Sequence, residues 1–299
     1  MSNENVGRDA GIHAEIGGLG DLADDIIRQR FTRAYPPARP EPGATMHFPI
    51  LKGEIVTKDN FGLCDSPPVP LPEEIQDGAL FLGTLDGAAC VAYVLPDDTA
   101  LPLGFQSVGL RALYGQVDED AYAVAGYAVQ LLHFRARYKF CPNCGTRTQN
   151  LSGGWAQECP ACKNTLYPPV SPAVLALVHD GGDRILLAQK PGWGTRYSIL
   201  AGFVEPGESL EGCVVREVLE EAGILVESPQ YKGSQPWPFP HQIMLGFTTR
   251  YVKGEITPDS SELSDARWFR FDALPDLPPP LSLSRQLIDA WVRERQAAR

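Results

Sequence analysis

Residues 202–224 read GFVEPGESLEGCVVREVLEEAGI, and the fold turns on that stretch. Ser209 near its start and Gly223 at its end are residue types that cap helices, so the pattern predicts a helix from about Glu208 to Ala222. Glu217, Glu220 and Glu221 then fall at i, i+3 and i+4 and share one face. Six acids (Glu205, Glu208, Glu211, Glu217, Glu220, Glu221) stand here against one base, Arg216. A solvated helix face normally alternates its charges. Crowded carboxylates are instead the hard oxygen ligands that Mg²⁺ or Mn²⁺ requires. Gly202 and Gly207 allow a loop to double back beside the helix.

Strand-like runs surround this helix. Residues 171–190 read as strand, Gly-Gly-Asp turn, strand; 197–205, 242–252 and 266–271 read as further strands. After the proline run Pro275 to Pro280, residues 282–298 place Leu283, Leu287, Ile288 and Trp291 on one helical face. Upstream, two apolar runs in 79–95 flank Asp86-Gly87, a hairpin signal. Residues 118–138 open with Asp118-Glu119-Asp120 and close with Arg135 and Arg137, the charge order of a helix. The expected fold class is α/β (α+β), a layered sandwich. Residues 1–45, Gly-rich and then Pro-rich from Tyr35 to Gly43, read as an extension and linker.

Between these blocks stand Cys141-Pro-Asn-Cys144 and, after fourteen residues, Cys159-Pro-Ala-Cys162. Each Cys-x-x-Cys aims two thiolates at one point, and two such knuckles complete a closed tetrahedral Zn²⁺ site. A closed site is structural, with no open position for chemistry. Cys64, Cys90 and Cys213 read as buried apolar fillers.

The chain has 299 residues and a formal charge of −11. That balance disfavours a protein that grips nucleic acid or anionic membrane through bulk charge. No apolar run approaches the roughly 18 residues of a membrane span. The N-terminal MSNENVGRDAGIHAEIGG has no basic region followed by an apolar core, so no secretory signal is expected. Paired metal-type cysteines point to a reducing cytoplasm.

The stretch 202–224 resembles the Nudix box, G-x5-E-x7-R-E-U-x-E-E-x-G-U, through Gly202, Glu208, Arg216, Glu217, Val218, Glu220, Glu221, Gly223 and Ile224. Ser234-Gln-Pro-Trp-Pro-Phe-Pro240 is similar to the SQPWPFP signature of the NADH pyrophosphatase subgroup. That subgroup also carries a four-Cys ribbon and an N-terminal domain. The resemblance covers roughly residues 79–299. It implies a Nudix α/β/α sandwich at 168–299, a zinc ribbon at 139–167 and a Nudix-associated α+β domain at 46–138. It further implies metal-dependent hydrolysis of NADH or NAD⁺ to AMP and a nicotinamide mononucleotide, and, by the same chemistry, removal of an NAD cap from RNA.

Position by position, the resemblance assigns Glu217, Glu221 and Glu262, with the Ala201 carbonyl, to divalent metal. Glu220 is a further ligand or the base, and Arg216 braces Glu208. Phe203 and Tyr167 resemble aromatics that sandwich a purine, the tyrosine coming from a partner subunit, which implies a homodimer. Gln235, Pro236, Trp237, Pro238, Phe239 and Pro240 resemble the dinucleotide contact segment. Arg111 resembles an N-terminal-domain arginine that reaches substrate. The sequence departs at His241-Gln242, where the signature ends in Ser, and at Leu281-Ser-Leu-Ser284 after the proline run. It departs also at Tyr167-Pro168-Pro169, where an Arg usually follows Tyr-Pro, and at Gly154 before Trp155, and all these departures fall near substrate recognition.

Two other readings stand beside this one. A Nudix pyrophosphatase for ADP-ribose or dinucleoside polyphosphates would share the box but has no need of SQPWPFP. A non-catalytic nucleic-acid-binding ribbon should be basic, whereas residues 141–163 hold Arg147 and Lys163 against Glu158.

Overall fold

The computed structural model describes residues 30–298. In the N-terminal part, β1 (Phe31–Arg33), β2 (Thr45–Leu51), β3 (Glu54–Lys58), β4 (Leu80–Leu85), β5 (Ala88–Val94) and β6 (Phe105–Val108) form one sheet in the order β1-β4-β5-β2-β3-β6. Asp86 and Gly87, with φ of 49° and 81°, close the β4–β5 hairpin. A short helix α1 (Glu73–Gly78) precedes β4, and a 3-10 turn spans Leu110–Leu113.

Helix α2 (Glu119–Arg137) lies across this sheet. Its start is set by Asp118, whose side chain accepts from the backbone N–H groups of Asp120 and Ala121. Ala121, Val124, Ala125, Ala128 and Leu131 bury against Phe48, Ile55, Leu80 and Leu82.

The expected extension is corrected here. Phe31–Arg33 pairs antiparallel with β4, and Phe31 is buried against the Tyr127 ring, 6.2 Å between centroids. An edge strand of three residues is too short to show a period of two. Residues 1–29 of that extension lie outside the described residues.

The cysteine region holds three short strands, β7 (Gln149–Asn150), β8 (Gln157–Glu158) and β9 (Thr165–Leu166). It is followed by the second large sheet: β10 (Ser171–His179), β11 (Arg184–Gln189), β12 (Leu200–Phe203), β13 (Leu225–Trp237), β14 (Gln242–Lys253) and β15 (Asp265–Arg270). Helices α3 (Leu210–Ala222) and α4 (Leu283–Ala297) complete the unit. The strand order is β13-β14-β10-β11-β15, with β12 also on β10.

Alternation along the central strand builds the sandwich. Val174, Ala176 and Val178 of β10 meet Val214, Val218 and Ala222 of α3. Leu175 and Leu177 point the other way and meet Leu283, Leu287, Ile288 and Trp291 of α4. The observed α3 starts two residues later than expected, with Ser209 outside it as N-cap and Gly223 in the left-handed region as C-cap.

Strand β13 runs on into the Ser234–Pro240 segment. Ser234–Trp237 continue the strand, and Pro236 stands opposite Ile243. A proline is tolerated because β13 is the edge of its sheet. Among the described residues no helix is long and apolar enough to cross a membrane.

Candidate active site

Helix α3 and the end of β12 form the acidic floor. Arg216 is its hub. Its Nε and Nη2 donate to Glu208 at 3.0 and 2.6 Å, and Nη2 also donates to the Phe203 carbonyl at 2.9 Å. Its Nη1 donates to Glu217 and Glu220, each at 2.9 Å. Glu208 in turn accepts from the Glu205 N–H at 2.7 Å. The Arg216 contact, helped by that N–H, pulls the Glu208 carboxyl down to about 2. Glu208 therefore pins the loop beside the helix, while Glu217, Glu220 and Glu221 carry the face.

Glu221 is the most buried of these acids, with its side chain 3 % exposed. Burial pushes its carboxyl up to about 7, against the pull of Lys190 and the Ala201 N–H, while Glu217 and Glu262 push it further. Oε2 accepts from the Ala201 N–H at 3.3 Å. Oε1 is buried with no hydrogen-bond partner among the described residues; Lys190 Nζ, at 3.5 Å, forms an ion pair with it without hydrogen-bond geometry. Glu217 is raised by burial as well, with Glu220 and Glu262 adding to the push. Glu217 and Glu221, both raised by burial and by the charge of Glu262, and the orphaned buried oxygen of Glu221, fit a divalent cation by the chemistry of their donors. Glu262 reaches this cluster from the loop before β15, its backbone N–H held by the Asp259 carbonyl at 3.0 Å.

The segment after the box lies beside the N-terminal domain. Trp237 and Phe239 pack edge to face with centroids 5.0 Å apart. The Arg111 guanidinium carbon stands 3.8 Å from the Phe239 centroid and 5.8 Å from that of Trp237. Pro238 is buried against α2, where a Cβ on Gly126 would come within 3.0 Å of its Cγ. His241 Nδ1 is 3.2 Å from Ser171 Oγ, and its ring is 6.1 Å from that of His133. Gln242 opens β14 opposite Trp237. Pro236 and Pro240 are exposed.

Tyr167 is 70 % exposed and Phe203 52 % exposed, both open to a flat ligand. Gln235 and Ser284 behave differently from the expected substrate contacts. The Gln235 amide donates to the Leu281 carbonyl and accepts from the Leu283 N–H, both at 2.8 Å, which ties β13 to the start of α4. Ser284 is buried, with its hydroxyl 3.3 Å from that of Ser198 and 3.2 Å from that of Ser282.

Lys190 and His133 were not legible as site residues. Each is remote in sequence from its partner, and a lone base after an apolar strand or a lone histidine in a helix carries no spacing signal.

The four cysteines form a separate centre. Sγ atoms lie 3.4 Å apart for Cys144–Cys159 and 3.6 Å apart for Cys141–Cys162 and Cys144–Cys162. A tetrahedron of Zn–S bonds of about 2.3 Å has edges only slightly longer. Both knuckles use one turn: Gly145 N–H to the Cys141 carbonyl and Lys163 N–H to the Cys159 carbonyl, each at 2.9 Å. Gly145 and Lys163 both sit at positive φ. Among the described residues no other group of three or more His, Cys, Asp or Glu ligand atoms gathers so closely.

Family models match along the chain: an NADH pyrophosphatase-like rudimentary NUDIX domain at 47–133, an NADH pyrophosphatase zinc ribbon domain at 136–167, and a NUDIX domain at 169–292. The chain is 44 % identical over 215 residues to the NAD-capped RNA hydrolase NudC of Stutzerimonas stutzeri, covering 72 % of this chain and 77 % of that one. It is 46 % identical over 208 residues to the protein of the same name from Pseudomonas aeruginosa, covering 69 % and 74 %. To that of Deinococcus radiodurans it is 38 % identical over 258 residues, covering 85 % and 88 %.

Proposed function

The chain belongs to the Nudix hydrolases, in the branch that carries the NADH pyrophosphatase zinc ribbon, and from that membership we propose that it hydrolyses the pyrophosphate bond of NAD(H), free or as the cap of an RNA. The products are AMP, or a 5′-phosphorylated RNA, and a nicotinamide mononucleotide. The observation that carries this reading is Glu221 Oε1, buried without a hydrogen-bond partner among the described residues, beside Glu217 and Glu262.

We assign Glu217, Glu221 and Glu262, with the Ala201 carbonyl, to Mg²⁺ or Mn²⁺. Such ions, when bound, neutralise the diphosphate and make water acidic enough to attack phosphorus. Glu220, 59 % exposed and on the same face, accepts the water proton at a carboxylate oxygen. Arg216 holds Glu217 and Glu220 in place and fixes the loop through Glu208. Phe203 and Tyr167 bracket the adenine, Tyr167 from the partner of a homodimer. Trp237 and Phe239, held by Arg111, stack on the nicotinamide side, with His241 and Gln242 bounding that end. The ribbon zinc is structural. Seven free cysteines, four of them zinc-binding thiols, suit a reducing cytoplasm.

The test is catalytic efficiency with Mg²⁺ and with Mn²⁺ over NADH, NAD⁺, ADP-ribose and NAD-capped RNA. NADH, NAD⁺ or the capped RNA should lead; a clear lead for ADP-ribose would overturn the assignment. Sedimentation of the holoenzyme tests the dimer.

A further inference from the structure

A cavity of about 410 Å³ opens between the N-terminal sheet and the ribbon. Its walls include Pro36, Pro37, Phe81, Trp155 and Arg135. Arg135 lies nine residues along α2 from Gly126, half a turn round the helix from the face that meets Pro238. The cavity is therefore separate from the acidic floor and from the Trp237 segment.

Arg135 is the feature in need of explanation. Its Nε is buried and has no hydrogen-bond partner among the described residues. Its guanidinium carbon stands 5.7 Å from the Trp155 centroid. Among the described residues burial alone acts on its pKa and pulls it down, and none of their carboxylates holds it up. Sequestering an unpaired cation is costly, so such groups usually find an anion. Acids are not scarce, with 37 against 26 bases in the chain. Yet residues 121–157 contain none, while holding Arg135, Arg137, Lys139 and Arg147. Arg39 adds a second cation to the lining, against a single acid, Asp77. The aromatic wall is rigid as well: the Trp155 indole N–H donates to the Tyr127 hydroxyl, and the Tyr35 ring lies 6.2 Å away.

We propose that this cavity is a second, non-catalytic site that takes a nucleoside monophosphate unit, its phosphate on Arg135 and its base against the wall of Phe81, Trp155 and the two prolines. The volume is that of a small-molecule site. A planar guanidinium offers two parallel donors to phosphate, which an ammonium does not. The choice of a nucleotide among planar anions rests on the reaction proposed above, whose products are nucleoside monophosphates; the anion site itself stands on Arg135. The unit has two sources, a free mononucleotide or one nucleotide of an RNA chain.

The experiment titrates AMP by calorimetry into the full-length zinc-loaded protein, without added Mg²⁺ or Mn²⁺. One AMP per chain should bind. Arg135→Met should weaken it at least tenfold, Arg135→Lys should restore part of the loss, and Phe203→Ala, which opens the proposed adenine subsite of the acidic floor, should leave AMP binding unchanged. Adenosine and inorganic phosphate should each bind at least tenfold more weakly than AMP. Absence of AMP binding, binding that survives Arg135→Met, or binding lost in Phe203→Ala instead overturns the proposal, as does phosphate that binds as tightly as AMP. A 5′-phosphorylated tetraribonucleotide that displaces AMP identifies an RNA nucleotide as the occupant; failure to displace it identifies the free mononucleotide. NADH hydrolysis with Mg²⁺, measured on the same preparations, reports separately on the proposed reaction.

Discussion

The carboxylate of Glu217 lies where a side chain on residue 202 would begin: a Cβ built on Gly202 would sit 1.8–2.0 Å from its three carboxyl atoms. Backbone conformation does not demand this glycine, since its φ is not positive. Space does. Gly202→Ala should displace Glu217 from the floor and lower kcat with Mg²⁺ by about 100-fold, the scale of an ångström-sized misplacement. Steady-state kinetics check it, and near-normal turnover would remove Glu217 from the metal set.

Glu220→Gln keeps the shape of a half-exposed side chain and removes its basicity and its charge, while the amide oxygen can still accept from Arg216. A drop of about 10²- to 10³-fold in kcat with KM little changed is expected. An unchanged kcat would assign the water proton to another group.

Glu221 gives a pH signature in the metal-free protein. Its carboxyl is pushed up to about 7 in the fold, from 4.5. Below about 4.5 it is protonated in both folded and unfolded chains. Between 4.5 and 7 the unfolded chain loses the proton while the fold keeps it, so stability falls as pH rises and then levels off. Glu221→Gln should flatten that fall in a Tm-against-pH series. Parallel curves for the two proteins would contradict the burial argument.

Cys144→Ser should abolish stoichiometric zinc and lower Tm by roughly 10 °C, since structural zinc stabilises by several kcal/mol. Elemental analysis and thermal unfolding read both. Full zinc content in the variant would exclude Cys144 as a ligand.

Arg111→Ala should raise KM for NADH about five- to tenfold and leave kcat within about threefold, because a cation over two rings positions a substrate without touching the scissile bond. Loss in kcat alone would place Arg111 at the chemistry instead.

The helix and its caps were legible because Ser209, Gly223 and the glutamate spacing are local in sequence. The four-Cys centre was legible for the same reason. Strand β1 was not, since a three-residue edge strand acquires its meaning only from Leu85 opposite Phe31. The resemblance makes Gln235 a ligand contact, while in the fold its amide bonds Leu281 and Leu283, 46 and 48 residues away, a pairing no local stretch of sequence shows. The Lys190–Glu221 pair likewise exists only after folding.

The contacts of Gly126 with Pro238, His133 with His241 and Arg111 with Phe239 all join the N-terminal domain to the aromatic segment. Glu217, Glu221 and Glu262, proposed above as metal ligands, take part in none of these three contacts. Heredity can therefore act on the two halves at different rates. Drift on the surface of one helix can change which dinucleotide is preferred while the bond-breaking apparatus stays as it is, so relatives that share every glutamate of the box are free to diverge in diet.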